Sequence, residues 1–226
     1  MPIDTLFGAS PVLHLLPANA LIRTGPVDHA DWNYWPILGR IQRLRFQLAT
    51  RLLPAGKVGR LLEVGYGSGV FMPELARHCE NLFGIDIHPH AAAVADRLRE
   101  HGITAQLATG SAESLPYEDE SFDCVVAISS LEFVANIDAA LPEIRRVTNA
   151  GGCLIVVTPG HSAVVDWGLK ILTGANANAD YDRRRHNLLP AISKRFVIET
   201  QRLFPPVAGH VVRLYAALRF RPMPRA

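Results

Sequence analysis

A chain of 226 residues, 49% hydrophobic and 19% charged, holds enough apolar material for one domain with a sizeable core, which excludes wholesale disorder. Its net charge of +2 is too small to point to a nucleic-acid partner, and none is expected.

In chain order, residues 1 to about 30 carry Pro2, Gly8, Pro11, Pro17, Gly25 and Pro26. That spacing forbids a long helix and predicts an irregular arm. Asp31 is a candidate N-cap for a helix running through Leu53. Trp35, Leu38, Ile41, Leu48 and Leu52 form its apolar stripe, Arg40, Arg43 and Arg45 add charge, and Pro54-Ala55-Gly56 ends it. Strands and helices then alternate. The predicted strands are Arg60–Val64, Asn81–Ile85, Ala105–Ala108, Cys124–Ile128 and Cys153–Thr158; the predicted helices are Val70–His78, Ala91–His101 and Ile137–Thr148. A loop spans Thr109–Ser121. A segment from Gly160 to Lys194 lacks strand character, and two further strands, Arg195–Arg202 and Val211–Arg221, suit an antiparallel pair at the sheet edge. The pattern predicts an α/β fold with a doubly wound, seven-stranded, mostly parallel sheet ending in an antiparallel hairpin.

Cys79, Cys124 and Cys153 have no metal-ligand spacing and read as reduced, buried residues, so no metal is expected. No run approaches the roughly 18 apolar residues of a spanning helix. Asp4, with no basic start before the apolar stretch, speaks against a signal peptide, and the expected location is the cytoplasm.

The chemistry concentrates in Leu61-Leu62-Glu63-Val64-Gly65-Tyr66-Gly67-Ser68-Gly69. A glycine turn between a strand and a helix lets the backbone approach a ligand, since no Cβ intervenes. Asp86 ends the next strand, 23 residues after Glu63, where a carboxylate suits a ribose diol. A dinucleotide fingerprint would need glycines at 65, 67 and 70; position 70 is Val and the third glycine is Gly69.

This spacing resembles the first motif of class I S-adenosylmethionine-dependent methyltransferases. Gly110-Ser111-Ala112-Glu113-Ser114-Leu115-Pro116-Tyr117, followed by Glu118–Asp123, resembles the adenine-binding loop and fourth strand of their type-11 branch, near which ubiquinone and menaquinone methyltransferases lie. Ser111 stands where that branch usually has Asp. Ile144–Gly152 and Leu154–Pro159 resemble the following helix, turn and strand. The resemblance covers about residues 58 to 160. It implies a Rossmann-like methyltransferase fold and S-adenosylmethionine as cofactor, with Glu63 helping to hold its ammonium group. It also implies cofactor contacts from Gly65, Tyr66, Gly67, Gly69, Asp86, Ile87, Ser111, Ala112, Glu113 and Ser129, and from Tyr34 on an N-terminal lid helix. Tyr34 and Trp35 equally suit the core of that helix. The expected organisation is an arm and lid helix at 1–55, then the methyltransferase domain at 56–226 with a substrate-side insertion at 160–194.

Catalytic residues are less legible. Glu132 follows the fourth strand and is a candidate acid or base; His161, after the fifth, is a second. Arg183-Arg184-Arg185-His186 reads as a solvated run or as a site for an acidic substrate or a membrane surface. The expected reaction is methyl transfer to a small-molecule or lipid-like acceptor, with peripheral membrane contact allowed and the oligomeric state open. The alternatives are a non-catalytic cofactor-binding protein of the same fold and an NAD-linked oxidoreductase, the latter disfavoured by Val70.

Overall fold

A computed structural model describes residues 12–25, 28–160, 179–205 and 214–224, with backbone alone for 179–183 and 185. Seven strands form one sheet: β1 (Val58–Val64), β2 (Cys79–Asp86), β3 (Gln106–Thr109), β4 (Phe122–Ile128), β5 (Thr148–Pro159), β6 (Phe196–Phe204) and β7 (Tyr215–Pro222). Their spatial order is β3-β2-β1-β4-β5-β7-β6. The pairs among β1 to β5 are parallel, and β7 runs antiparallel to both β5 and β6. The last strand in sequence therefore sits inside the sheet, and β6 takes its edge.

Period-two alternation divides the strands between two faces. Leu61, Cys124, Ile155 and Ala217 face one apolar layer, while Leu62, Val125, Leu154 and Leu218 face the other. The first layer is covered by α1 (Leu38–Thr50), α2 (Met72–Leu75), α3 (Ala91–Glu100) and the arm through Leu16 and Ala20. The second is covered by α4 (Ile137–Val147) and α5 (Ala179–Ile192), through Leu141, Ile144, Leu188 and Ile192. Most of these elements match the predicted ones within a few residues.

Two helices differ from expectation, both because of proline. The helix expected over Asp31–Leu53 is broken: a 3-10 turn covers Ala30–Tyr34, Trp35 is extended (φ −70°, ψ 144°), and α1 begins only at Leu38. Pro36 excludes the helical region for the residue before it. Asp31 is thus not the cap; Asp28 Oδ1 accepts from Ala30 N at 3.1 Å instead. The expected Val70–His78 helix is reduced to the four residues of α2, because Pro73 fixes its start.

The arm is anchored to this frame. Leu16 N donates to Val70 O at 3.0 Å, and the Tyr34 hydroxyl donates to the Leu16 carbonyl. Glu74, in α2, accepts from His14 N at 2.8 Å. On the other face, Arg146 of α4 positions the loop after β3. It donates to Leu115 O at 3.0 Å, Tyr117 O at 2.7 Å and Glu143 Oε1 at 2.8 Å, while Glu143 Oε2 accepts from Leu115 N at 2.9 Å. That loop carries Ser111–Glu113 towards the carboxyl ends of the strands. Replacing Arg146 with Ala should lower unfolding stability by about 1.5–3 kcal/mol, as for lost charged hydrogen bonds, measured by urea denaturation.

Candidate functional site

A cavity of about 860 Å3 opens at the carboxyl ends of β1 to β4, on the side where open parallel sheets take their ligands. Its floor is the glycine turn. Gly65, Gly67 and Gly69 have φ of +81°, +52° and +73°, a region that side chains disfavour. At Gly65 the constraint is also steric, since a Cβ would stand 2.3 Å from Ser130 Cβ. Gly69 does not line the cavity; it lets the turn close on α3, where a Cβ would lie 3.0 Å from Val94 Cγ1.

Asp86, ending β2, ties the neighbouring strand to this turn: its Oδ2 accepts from Gly67 N at 2.8 Å. His88 reinforces the tie. Its Nδ1 accepts from His90 N at 3.1 Å, so Nε2 carries the proton and donates to Gly67 O at 3.0 Å. Ile87 lines the cavity and is exposed. From β3, Ser111 Oγ accepts from Glu113 N at 3.1 Å, and the buried Ala112 lines the wall beside them. Glu113 also reaches the wall, but its Oε1 accepts from Asn136 N at 2.9 Å and so braces the start of α4. After β4, Ser129 takes φ +51°, a strained conformation worth about 1–2 kcal/mol. It is held there because Ser129 N donates to Val157 O at 2.7 Å and Ser130 Oγ to Val64 O at 2.6 Å.

Several oxygens at this end are buried without a hydrogen-bond partner: Glu63 Oε2, Tyr66 Oη, Ser68 Oγ and Ser129 Oγ. Glu63 is 4% exposed, and burial, with the Asp86 charge adding and Arg45 opposing, pushes its carboxyl up to about 8. Burial likewise raises the Tyr66 phenol, which meets His88 edge-on at 4.9 Å.

The opposite wall is remote in sequence. Thr24, Asp28, His29 and Trp32 come from the arm and its 3-10 turn; Ile41, Gln42, Arg45 and Phe46 come from α1; Pro159, Leu214 and Tyr215 come from the ends of β5 and β7. His29 stacks on Trp32 at 4.0 Å. Glu132, in a 3-10 turn after β4, lines the cavity and is 1% exposed. Burial raises the Tyr215 phenol, with Arg45 opposing and Glu132 adding, and all three residues line the cavity.

The structure therefore gathers Glu63, Gly65, Tyr66, Gly67, Asp86, Ile87, Ser111, Ala112, Glu113, Ser129 and Glu132 at one cavity. Tyr34 is not among the lining residues; its hydroxyl is spent on Leu16, and Trp32, two residues earlier, takes the wall. His161 lies outside the described residues. Sequence reasoning missed Asp28, Trp32, Arg45, His88 and Tyr215. His88, two residues after Asp86, had the strand end as a signal; Tyr215 had none, because β7 reaches the site only through the sheet order.

Residues 62–156 match the family model of a methyltransferase domain. A methyltransferase of Streptomyces halstedii, GfsG, is 32% identical over 151 residues, 62% of this chain and 54% of the relative. A demethylmenaquinone methyltransferase of Tropheryma whipplei is 33% identical over 115 residues, 50% of this chain and 47% of the relative. The chain spans about half, or less, of the length of such curated relatives, down to 29%. Among solved structures, a geranyl diphosphate C-methyltransferase from Streptomyces coelicolor A3(2) superposes with a TM-score of 0.65 at 15% identity, covering 99% of this chain and 94% of that one; at that identity the likeness speaks for the fold. The residues present fit S-adenosylmethionine: the positive-φ cradle has no room for a Cβ at Gly65, and the orphaned oxygens of Glu63 and Ser129 call for donors.

Glu63 makes a prediction about the ligand-free protein. In the unfolded chain its carboxyl ionises near the ordinary 4.5, whereas the folded chain keeps the proton up to about 8. Stability should therefore fall as pH rises from about 4.5 to about 8, by on the order of 5 kcal/mol from this group. Chemical denaturation across that range should show the decline in the parent and a flatter profile in Glu63→Gln.

Proposed function

We propose, on the premise that this chain belongs to the class I S-adenosylmethionine-dependent methyltransferases, that it transfers a methyl group to a small-molecule or lipid-like acceptor held beside the cofactor. The observation that carries the reading is the shape of the cavity. The glycine turn, Asp86 and the Ser111–Glu113 loop share its lining with the apolar residues Trp32, Ile41, Phe46, Phe133 and Tyr215, room for an acceptor beside the cofactor. At about 860 Å3 it lies in the upper part of the range of roughly 300–1,000 Å3 for small-molecule sites.

S-Adenosylmethionine supplies an activated methyl group on sulfur, so the protein's task is alignment and exclusion of water. Asp86 holds the ribose and is itself fixed by Gly67 N–H. Glu63, neutral at pH 7 in this site, would hold the ammonium group as a carboxylate, its proton released to solvent. Ser129 Oγ and the Gly65 backbone border the same pocket. On the acceptor side Glu132 receives the proton that an oxygen or carbon nucleophile must lose. Its burial beside Arg45 and Tyr215 keeps that transfer out of bulk water.

Asp86→Ala should weaken S-adenosylmethionine binding by about 1.5–3 kcal/mol without unfolding the protein, read by titration calorimetry. Tight NAD binding by the parent protein, with no response to S-adenosylmethionine, would overturn the assignment. Glu132→Gln should keep cofactor affinity within a few-fold while lowering turnover by roughly 100-fold or more, the usual worth of a general base. Turnover is followed as S-adenosylhomocysteine released with pooled phenolic and isoprenoid acceptors.

A further inference from the structure

Of the seven large apolar side chains exposed among the described residues, Val12 lies on the arm, Val197 and Ile198 lie on β6, and the other four lie at or near the cavity. Among the described residues, Ile87 (78% exposed) and Phe133 (47%) line the cavity itself. Trp35 (48%) lies 6.2 Å from the ring of Trp32, which forms cavity wall, and Ile37 (80%) stands two residues further on. Trp35, Pro36 and Ile37 are three consecutive exposed residues forming the corner between the Ala30–Tyr34 turn and α1. Pro36, which breaks the helix here, also restricts the backbone of the corner, so presenting these side chains costs little chain entropy.

Charge is distributed to match. Residues 1–57 contain Arg23, Arg40, Arg43, Arg45, Arg51 and Lys57 against Asp4, Asp28 and Asp31, a net of +3, so the rest of the chain nets −1. The helix that leaves the corner, α1, has three arginines and no acid. Arg45 lines the cavity and Arg43 donates to Asn33 O at 2.5 Å, while Arg40 is exposed one turn from the corner. Asp31 is the nearest acid in sequence. A tryptophan and an aliphatic residue projecting from a basic, acid-free helix start is the composition that favours the interface of an anionic bilayer: the indole suits the headgroup level, and the arginines meet phosphates.

We propose that the Trp35–Pro36–Ile37 corner docks on an anionic lipid bilayer, with Arg40 at the headgroups. The cavity wall adjoining the corner, from Trp32 to Ile41, then lies against the membrane, and an apolar acceptor enters from the lipid without crossing water. The docking stands by itself; only the route of the acceptor rests on the function proposed above.

Sedimentation with vesicles separates the two. The parent protein should pellet with vesicles of equimolar phosphatidylcholine and phosphatidylglycerol, and far less with phosphatidylcholine alone. Ile37→Ser, and the double variant with Trp35→Ser, should weaken partitioning by roughly tenfold or more in the double. Arg40→Gln should weaken it and flatten its salt dependence. Each variant should keep its melting temperature and its S-adenosylmethionine affinity, which shows that the fold and cofactor site are intact. Absence of parent binding to the mixed vesicles, or equal binding by the folded double variant, overturns the proposal; the corner would then be a surface for a protein partner. Vesicle binding by a protein that fails to take up S-adenosylmethionine would leave docking standing and remove the methyltransferase reading.

Discussion

The hydrogen bond from Gly67 N–H to the Asp86 carboxylate holds the site together. It joins the ends of β1 and β2, two parallel strands whose ladder stops at Val64 and Ile85, just before the ligand position. The bond forms only because the turn adopts positive φ at Gly65, Gly67 and Gly69 and because nothing larger than hydrogen fits between Gly65 and Ser130. His88 closes the same turn from its carbonyl side. The Asp86 carboxylate, proposed to hold the ribose, is thereby pre-oriented by the backbone, which lowers the ordering cost of binding.

Buried charge supplies the second constraint. Glu63 sits beneath the turn with an unpartnered oxygen, and burying such a group is costly unless it stays neutral. Burial raises its pKa to about 8, so the fold carries it neutral at pH 7. On the acceptor side, Glu132, Arg45 and Tyr215 come from a 3-10 turn, a helix and the inner antiparallel strand, each fixed by the core behind it. Sites assembled from separate rigid elements tolerate change in one wall without loss of the other.

The wall built from the arm and α1 lies outside residues 62–156. Its arm is tied down at His14, Leu16 and Tyr34, yet its corner presents Trp35 and Ile37 to solvent. Firm anchoring next to exposed apolar surface is the arrangement expected of an interaction element, since a loose arm would bury such residues in the nearest groove.

From the sequence, strand–helix alternation determined the doubly wound sheet, because period-two and helical patterns are local properties of the chain. The glycine spacing and Asp86 pointed to the cavity they line, because backbone freedom and a strand-end carboxylate are also local. Helix boundaries near Pro36 and Pro73 were legible in principle, and the patterns extended across them were wrong because proline overrides periodicity. Tertiary structure alone decided that β7 lies inside the sheet, so that Tyr215 meets Arg45 and Glu132. It alone decided that Trp32 rather than Tyr34 forms the wall, since that follows from where the arm crosses α1 and no short-range pattern encodes the crossing. Contacts between residues far apart in sequence depend on packing the whole core, and there the reading of a linear chain stops.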